Sequence, residues 1–112
     1  MAVLVLNQRE VEELLDMEGC IEAMAATLAA LARGEVHQPL RFIVHPPGET
    51  NLIGLMPAHR SGAHSVYALK TVCVFPENPS RELDAHQGSV TLFDGKTGEV
   101  RALMNASAIT AI

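Results

Sequence analysis

Lys70 is the residue whose type and surroundings best fit a chemical role. In an extended strand it shares one face with four apolar residues, Val66, Ala68, Val72 and Val74. A lysine on an apolar face is costly unless it is paired or opens onto a polar cavity. Two interpretations are therefore open: a cation that binds an anionic ligand, or a lysine that is solvated or paired with a structural carboxylate. The opposite face is apolar too, which suggests a sheet that is covered on both sides.

Arg41 is a second candidate, inside the apolar segment 39–44. Its planar guanidinium can bind a carboxylate through two parallel hydrogen bonds. The alternative is a solvent-exposed arginine on an edge strand, and the spacing alone favours that alternative.

The other chemistry-bearing residues form no recognisable catalytic or metal-binding pattern. His59 and His64 are five positions apart across a loop that contains glycine, which does not supply the convergent ligands of a zinc site. Segment 95–97 ends like a phosphate-binding loop, but Val90 stands where that motif needs its first glycine, so we expect a hairpin turn. His86 is expected to be a turn residue rather than a base. No G-x-G-x-x-G occurs, so a dinucleotide fold is not expected from this chain.

Size and charge narrow the classes of partner. The chain has 112 residues, of which 48% are hydrophobic, so it can bury the core of one domain. Eight basic residues against 13 acidic ones give a net charge of −5, which makes nucleic acid an unsuitable partner. No apolar run is long enough to span a membrane. Cys20 and Cys73 are far apart, and we expect two reduced thiols in a cytoplasmic protein.

Two helices are expected near the N-terminus. Asn7 can cap the first helix, with Glu10 in the matching capping-box position. Asp16 can cap a second, alanine-rich helix, which Gly34 would end in a left-handed conformation. Ser107 resembles a third cap, before an apolar segment that stops at Ile112, and we expect the chain to be truncated there.

The rest of the chain alternates short apolar segments with turns. Strands are expected at Val3–Leu6, Gln38–His45, Asn51–Met56, Val66–Phe75, Gly88–Phe93 and Val100–Met104. Pro57 and the loop Arg60-Ser61-Gly62 are expected to end the third of them. The pattern predicts an α+β fold, with a mostly antiparallel sheet of four to six strands packed with two N-terminal helices.

Five segments, taken in order, strongly resemble the N-terminal part of the ornithine cyclodeaminase/mu-crystallin family. They are Gly54-Leu55-Met56-Pro57-Ala58, residues 69–79 (LKTVCVFPENP), His86-Gln87-Gly88, residues 92–98 (LFDGKTG) and residues 108–112 (AITAI). The likeness covers essentially the whole chain. It implies that residues 1–112 form a substrate-binding and dimerisation domain, truncated before a Rossmann domain that binds NAD or NADP.

The resemblance also assigns roles to individual residues. It implies that Arg41 and Lys70 hold the α-carboxylate of the substrate and that Met56 lines the pocket. The family often has Thr or Ser before His-Gln-Gly, where a hydroxyl helps to hold the cofactor, and here Ala85 takes that place. A family aspartate near the end of the segment is replaced by Asn105. The catalytic aspartate of the family belongs to the missing domain.

The function implied is that of an NAD(P)-dependent enzyme acting on a small amino or imino acid. In the name-giving member, hydride transfer at the α-carbon converts ornithine to proline with release of ammonia. The 112-residue chain alone is expected to be inactive, and the parent protein a cytoplasmic homodimer. Two alternatives remain: a mu-crystallin-like ligand-binding protein and a non-catalytic dimerisation module.

Overall fold

The fold is a seven-stranded sheet with three helices, and the computed structural model describes residues 2–111. Met1 and Ile112, the latter being the expected truncation point, lie outside the described residues. The strands are β1 (Leu4–Leu6), β2 (Val36–His37), β3 (Phe42–Val44), β4 (Leu52–Arg60), β5 (Val66–Val74), β6 (His86–Asp94) and β7 (Val100–Asn105). The helices are α1 (Gln8–Leu14), α2 (Met17–Ala32) and α3 (Ala106–Ala111), with a 3-10 turn at Asn78–Arg81.

The predicted helix ends near the N-terminus are confirmed. Asn7 Oδ1 accepts from the Glu10 N–H at 2.9 Å, and Glu10 Oε1 accepts from the Asn7 N–H at 3.1 Å, completing the capping box of α1. Asp16 Oδ1 accepts from the Gly19 N–H at 2.7 Å and caps α2. After α2, Gly34 has φ +77°, the left-handed conformation that glycine adopts without strain.

The sheet has the strand order β1-β7-β6-β5-β4-β2, and β3 pairs with β4 beside β2. Every pairing is antiparallel except that of β1 with β7, which is parallel. The predicted α+β class is therefore confirmed. The sheet has seven strands where four to six were expected, and α3 is a third helix.

Pro57 does not end its strand, and that prediction is wrong. β4 continues through Pro57 to Arg60, and Pro57 lies opposite Leu69 of β5. On its other side, β4 pairs with β3 at residues 53–55 and with β2 at residues 59–60. Pro57 falls in the gap between these two partners, where β4 is locally an edge strand and tolerates the missing N–H.

Two further local predictions need correction. The strand expected at Gln38–His45 is only three residues long, Phe42–Val44. Ser107 does not cap α3, because the helix begins at Ala106 and Asn105 Oδ1 accepts from the Ala108 N–H at 3.1 Å. Asn105 is thus the capping residue, a role that an amide oxygen fills as well as a carboxylate.

The two faces of the sheet differ in their cover. Lys70 lies on the face that α3 covers, and α1 packs against α3, the edge strand β1 and its neighbour β7. The opposite face carries Tyr67, which is 50% exposed. The apolar stripe of α2 is also exposed: Ile21, Met24, Leu28 and Leu31. Within residues 2–111, the cover expected on both faces of the sheet is present on one face only. None of the described helices is long and apolar enough to cross a membrane.

Candidate functional site

Strand register places three of the residues singled out from the sequence beside one another. Met56 of β4 lies directly opposite Lys70 of β5, and directly opposed residues share one face of an antiparallel sheet. Arg41 immediately precedes β3, whose first residue, Phe42, pairs with Leu55 of β4. The alternation of side chains along β3 then directs Arg41 to the face of Met56 and Lys70.

These three side chains line one cleft of about 290 Å³. The other polar residue of its wall is His86, at the start of β6. The rest of the lining is apolar and consists of Ile43, Leu52, Gly54, Val72 and Val74. The cleft therefore combines an apolar floor with the basic side chains of Arg41 and Lys70.

Lys70 is held in place from above the sheet. Its ammonium donates a hydrogen bond of 2.7 Å to the hydroxyl oxygen of Thr110 on α3. The lysine is half-buried. A second, smaller cavity of about 70 Å³ lies between the sheet and α3, and its lining includes Lys70, His86, Ser107 and Thr110. Lys70 thus stands where the cleft and this small cavity meet.

Arg41 is exposed and forms no hydrogen bond or salt bridge with any other described residue. Two other arginines, in contrast, are paired with carboxylates. Arg33 binds Glu35 through two hydrogen bonds of 2.9 Å, and Arg101 binds Asp94 at 2.7 Å. The guanidinium donors of Arg41 are therefore available to a ligand in the cleft.

His86 is the site residue that reasoning from the sequence missed. It opens β6 instead of lying in a turn, pairs with Val74, and lines both the cleft and the small cavity. Its backbone carbonyl accepts a hydrogen bond of 3.2 Å from the Ser107 hydroxyl, which ties β6 to α3. The alternation of residues 86, 88 and 90 along β6 could have indicated this face, but only once the register with β5 was known.

Ala85 does not line either cavity beside Lys70. It precedes β6, and its carbonyl accepts a hydrogen bond of 2.8 Å from the Phe75 N–H. Its methyl side chain can neither donate nor accept a hydrogen bond, so no described group of Ala85 other than its backbone could hold a polar ligand.

Two glycines shape the floor around Lys70. A methyl group added at Gly88 would collide with the backbone of Thr71, so β5 and β6 approach each other too closely there for any side chain. At Gly54, in contrast, an added methyl would make an ordinary contact of 3.9 Å with the Val72 carbonyl oxygen. Gly88 is therefore needed for packing, whereas Gly54 leaves open space in the cleft.

A larger hollow of about 740 Å³ lies near the turn between β6 and β7, and its lining includes none of Arg41, Met56, Lys70 and His86. Segment 95–97 forms the hairpin turn that was expected. Asp94 Oδ1 accepts from the N–H groups of Thr97 at 2.9 Å and Lys96 at 2.8 Å, and Arg101 donates to Oδ2. These bonds, led by those from Thr97 and Lys96, lower the pKa of Asp94 to about 2. The carboxylate is thereby satisfied within the turn and leaves no free charge for a ligand.

The described residues hold no candidate metal centre. Within residues 2–111, no three His, Cys, Asp or Glu side chains lie close enough together to bind a metal ion. Cys20 and Cys73 are free thiols. The chemistry that the cleft can perform is therefore recognition of an anion with an apolar body, since Arg41 and Lys70 supply donors and the floor supplies hydrophobic contact.

The chain is similar in both sequence and fold to several known proteins. Over 91 residues, the chain is 33% identical to the ketimine reductase mu-crystallin of Rattus norvegicus, covering 81% of this chain and 29% of the rat protein. The Delta(1)-pyrroline-2-carboxylate reductase of Thermococcus litoralis, solved with NADH and L-proline, superposes with a TM-score of 0.90 and 32% identity. The match covers 97% of this chain and 33% of the archaeal one.

An archaeal alanine dehydrogenase, a dimer with bound NAD, superposes with a TM-score of 0.89 and 30% identity. That match covers 99% of this chain and 33% of the dehydrogenase. The chain thus spans about a third of the length of the relatives that it matches. The profile of the ornithine cyclodeaminase/mu-crystallin family matches residues 1–112, and the chain belongs to that family.

Proposed function

We propose that this chain is the substrate-binding part of an NAD(P)-dependent enzyme that acts on a small amino or imino acid. The observation that carries the proposal is the single cleft in which Arg41 and Lys70 converge on an otherwise apolar floor. In this proposal both cations hold the α-carboxylate of the acid. Met56, directly opposite Lys70, contacts the carbon skeleton.

The physical basis is charge-assisted hydrogen bonding. A guanidinium can bind a carboxylate through two parallel bonds, and an ammonium adds a third donor from another direction. Lys70 already donates one of its three protons to Thr110, which leaves two for a ligand and restricts the rotation of the side chain. A carboxylate fixed in this way presents its α-carbon in a defined orientation, which is the main requirement for efficient transfer at that carbon.

NAD or NADP is the proposed cofactor because the archaeal relatives bind NADH and NAD. A nicotinamide supplies hydride exchange when it is bound. The described residues do not hold such a group by themselves, since the sequence lacks the glycine fingerprint and Ala85 offers no hydroxyl. The contribution of residues 2–111 is therefore to bind and orient the acid.

We further propose that the protein works as a homodimer in the cytoplasm. The archaeal alanine dehydrogenase is a dimer. In this chain the apolar stripe of α2 and one face of the sheet are exposed. Apolar surface of this kind is unusual in contact with solvent and is typical of an interaction site. The two free thiols fit a reducing compartment.

A second candidate is ligand binding without turnover. The cleft is compatible with it, because the same cation pair would hold a carboxylate-bearing ligand whether or not a reaction followed. This candidate predicts tight binding of the acid with negligible hydride transfer.

Steady-state kinetics of the protein at its native length would test the proposal. The assay uses L-alanine, L-proline, L-ornithine and L-aspartate with NAD⁺ or NADP⁺. Lys70→Met and Arg41→Met should each lower kcat/KM by a factor equivalent to about 2–5 kcal/mol. Each substitution removes one partner of a charge pair formed with the substrate. Lys96→Met, on the exposed turn after β6, is the matched control and should leave the kinetics unchanged. If kcat/KM changed by no more than about twofold in both variants, the carboxylate clamp, by which we mean Arg41 and Lys70 binding one carboxylate together, would be refuted.

A further inference from the structure

His86 is the one wall residue of the cleft to which neither the carboxylate clamp nor the apolar floor gives a role. Its side chain is exposed, and its ring forms no hydrogen bond with any other residue of the described range 2–111. A neutral imidazole carries one N–H donor and one acceptor, and a protonated one carries two donors. The ring is therefore free to bind a ligand that enters the cleft.

His86 lies on the same face of the sheet as Lys70, at the start of β6. Lys70 pairs with Val90 of β6, and His86 lies four residues earlier on the same strand and on the same face. Lys70 and His86 also border the cavity of about 70 Å³ under α3. Because His86 borders both cavities that Lys70 borders, we expect a ligand bound at Lys70 to come close to this histidine.

The charge of the cleft is of one sign. Arg41 and Lys70 are cations, the ring of His86 offers an N–H donor, and no Asp or Glu from residues 2–111 lines this cleft. A second ammonium on the ligand would face these charges without a compensating carboxylate. A second carboxylate would find a donor in the imidazole and a favourable potential.

We propose that His86 binds a second carboxylate of the substrate and that the site prefers acidic amino or imino acids, of the aspartate type, over diamino acids. This inference rests on the proposed function, because it takes Arg41 and Lys70 to hold the first carboxylate. The apolar floor between the two ends contacts the short carbon chain that separates the carboxylates.

The test compares substrates in variants of the native-length protein. We would measure kcat/KM with NAD⁺ or NADP⁺ for L-aspartate, L-alanine and L-ornithine, and binding of L-aspartate and L-alanine by calorimetry. Wild type should favour L-aspartate and use L-ornithine least. His86→Ala should reduce the preference for L-aspartate over L-alanine on the order of tenfold, through KM, because one charged hydrogen bond is lost. L-alanine kinetics should stay within about twofold.

Two further variants sharpen the comparison. His86→Asn keeps an N–H donor without the capacity for charge, so it should retain part of the preference for L-aspartate. His64→Ala removes an exposed loop histidine outside the cleft and should leave kcat/KM unchanged for all three substrates.

Opposite results would overturn the assignment. If His86→Ala lowered kcat/KM equally for L-aspartate and L-alanine, the ring would act on a group common to both substrates. If wild type preferred L-ornithine, the electrostatic argument would be wrong. Failure of the proposed function looks different: neither acid would bind, or Lys70→Met would leave the binding of both unchanged.

Discussion

The ammonium of Lys70 lies 2.7 Å from the hydroxyl oxygen of Thr110, forty positions further along the chain. This bond joins the central strand β5 to α3, the helix that covers the same face. The hydroxyl accepts from the ammonium, so its own proton remains free to donate to another acceptor. Thr110 therefore orients Lys70 and can add a donor beside it.

Thr110→Val tests this positioning role. The substitution keeps the shape of the side chain but removes the acceptor, so Lys70 gains rotational freedom and loses a partner. We expect KM for a carboxylate substrate to rise roughly three- to tenfold, equivalent to about 1 kcal/mol, with a smaller effect on kcat. Thr110→Ser should restore KM, and Thr50→Val, in an exposed loop, serves as the control. An unchanged KM in Thr110→Val would mean that Lys70 does not need this bond.

Gly88→Ala should destabilise the sheet at the site. The added methyl would meet the backbone of Thr71, which cannot move aside as a flexible side chain would. We expect a loss of about 1–3 kcal/mol in the free energy of unfolding, measured by urea titration, as is typical of overpacking. Gly54→Ala is the matched control, since its methyl makes only an ordinary contact with Val72, and it should cost less than Gly88→Ala. Equal losses for the two variants would contradict the close approach of β5 and β6.

Asp94 should make the stability of the turn depend on pH. Hydrogen bonds from the N–H groups of Thr97 and Lys96, and from Arg101, lower its pKa in the folded state to about 2, from an unfolded value near 3.8. The stabilisation is thus complete above the unfolded pKa and is lost as the pH falls from about 4 to 2. Asp94→Ala should unfold at lower urea than wild type at pH 7, and the difference should shrink towards pH 2. Glu99→Gln, on the same turn, provides the control, and a difference that is independent of pH would refute the assignment.

The exposed stripe of α2 gives a test of the proposed homodimer. Met24 and Leu28 are 51% and 57% exposed, and we expect a partner chain to bury them. Met24→Lys combined with Leu28→Lys should shift the mass measured by light scattering from dimer towards monomer, because two charges would be placed in an apolar contact. Glu22→Lys changes a residue of α2 outside the stripe and should leave the mass unchanged. A dimer that survived the double substitution would use another surface.

Local chemistry explains why much of the fold could be predicted. The capping box of Asn7 and Glu10, the cap at Asp16 and the left-handed Gly34 depend on neighbours within four residues, and the sequence displays those neighbours directly. The 94–98 turn follows the same rule, because the Asp94 side chain bonds its own turn.

Two predictions failed because a distant strand decides the outcome. Pro57 continues β4 because β2 and β3 leave a gap beside it, which no local pattern reveals. For the same reason, His86 joins the cleft through its register with β5 and not through any motif of its own. Arg41 and Lys70 could be singled out as cations in apolar segments, but their convergence on one cleft depends on how β3, β4 and β5 pair.

The parallel pairing of β1 with β7 has a consequence for the order of folding. Leu4 is aligned with Ala102 and Leu6 with Met104, so β1 can join the sheet only after β7 is available to pair with it. Contacts between residues so far apart in sequence slow folding, because a long loop must close before they form. During synthesis on the ribosome, the antiparallel hairpins from β4 to β6 can assemble early. The edge of the sheet, and with it the α3 cover over Lys70, can form only after the β7 segment has left the exit tunnel.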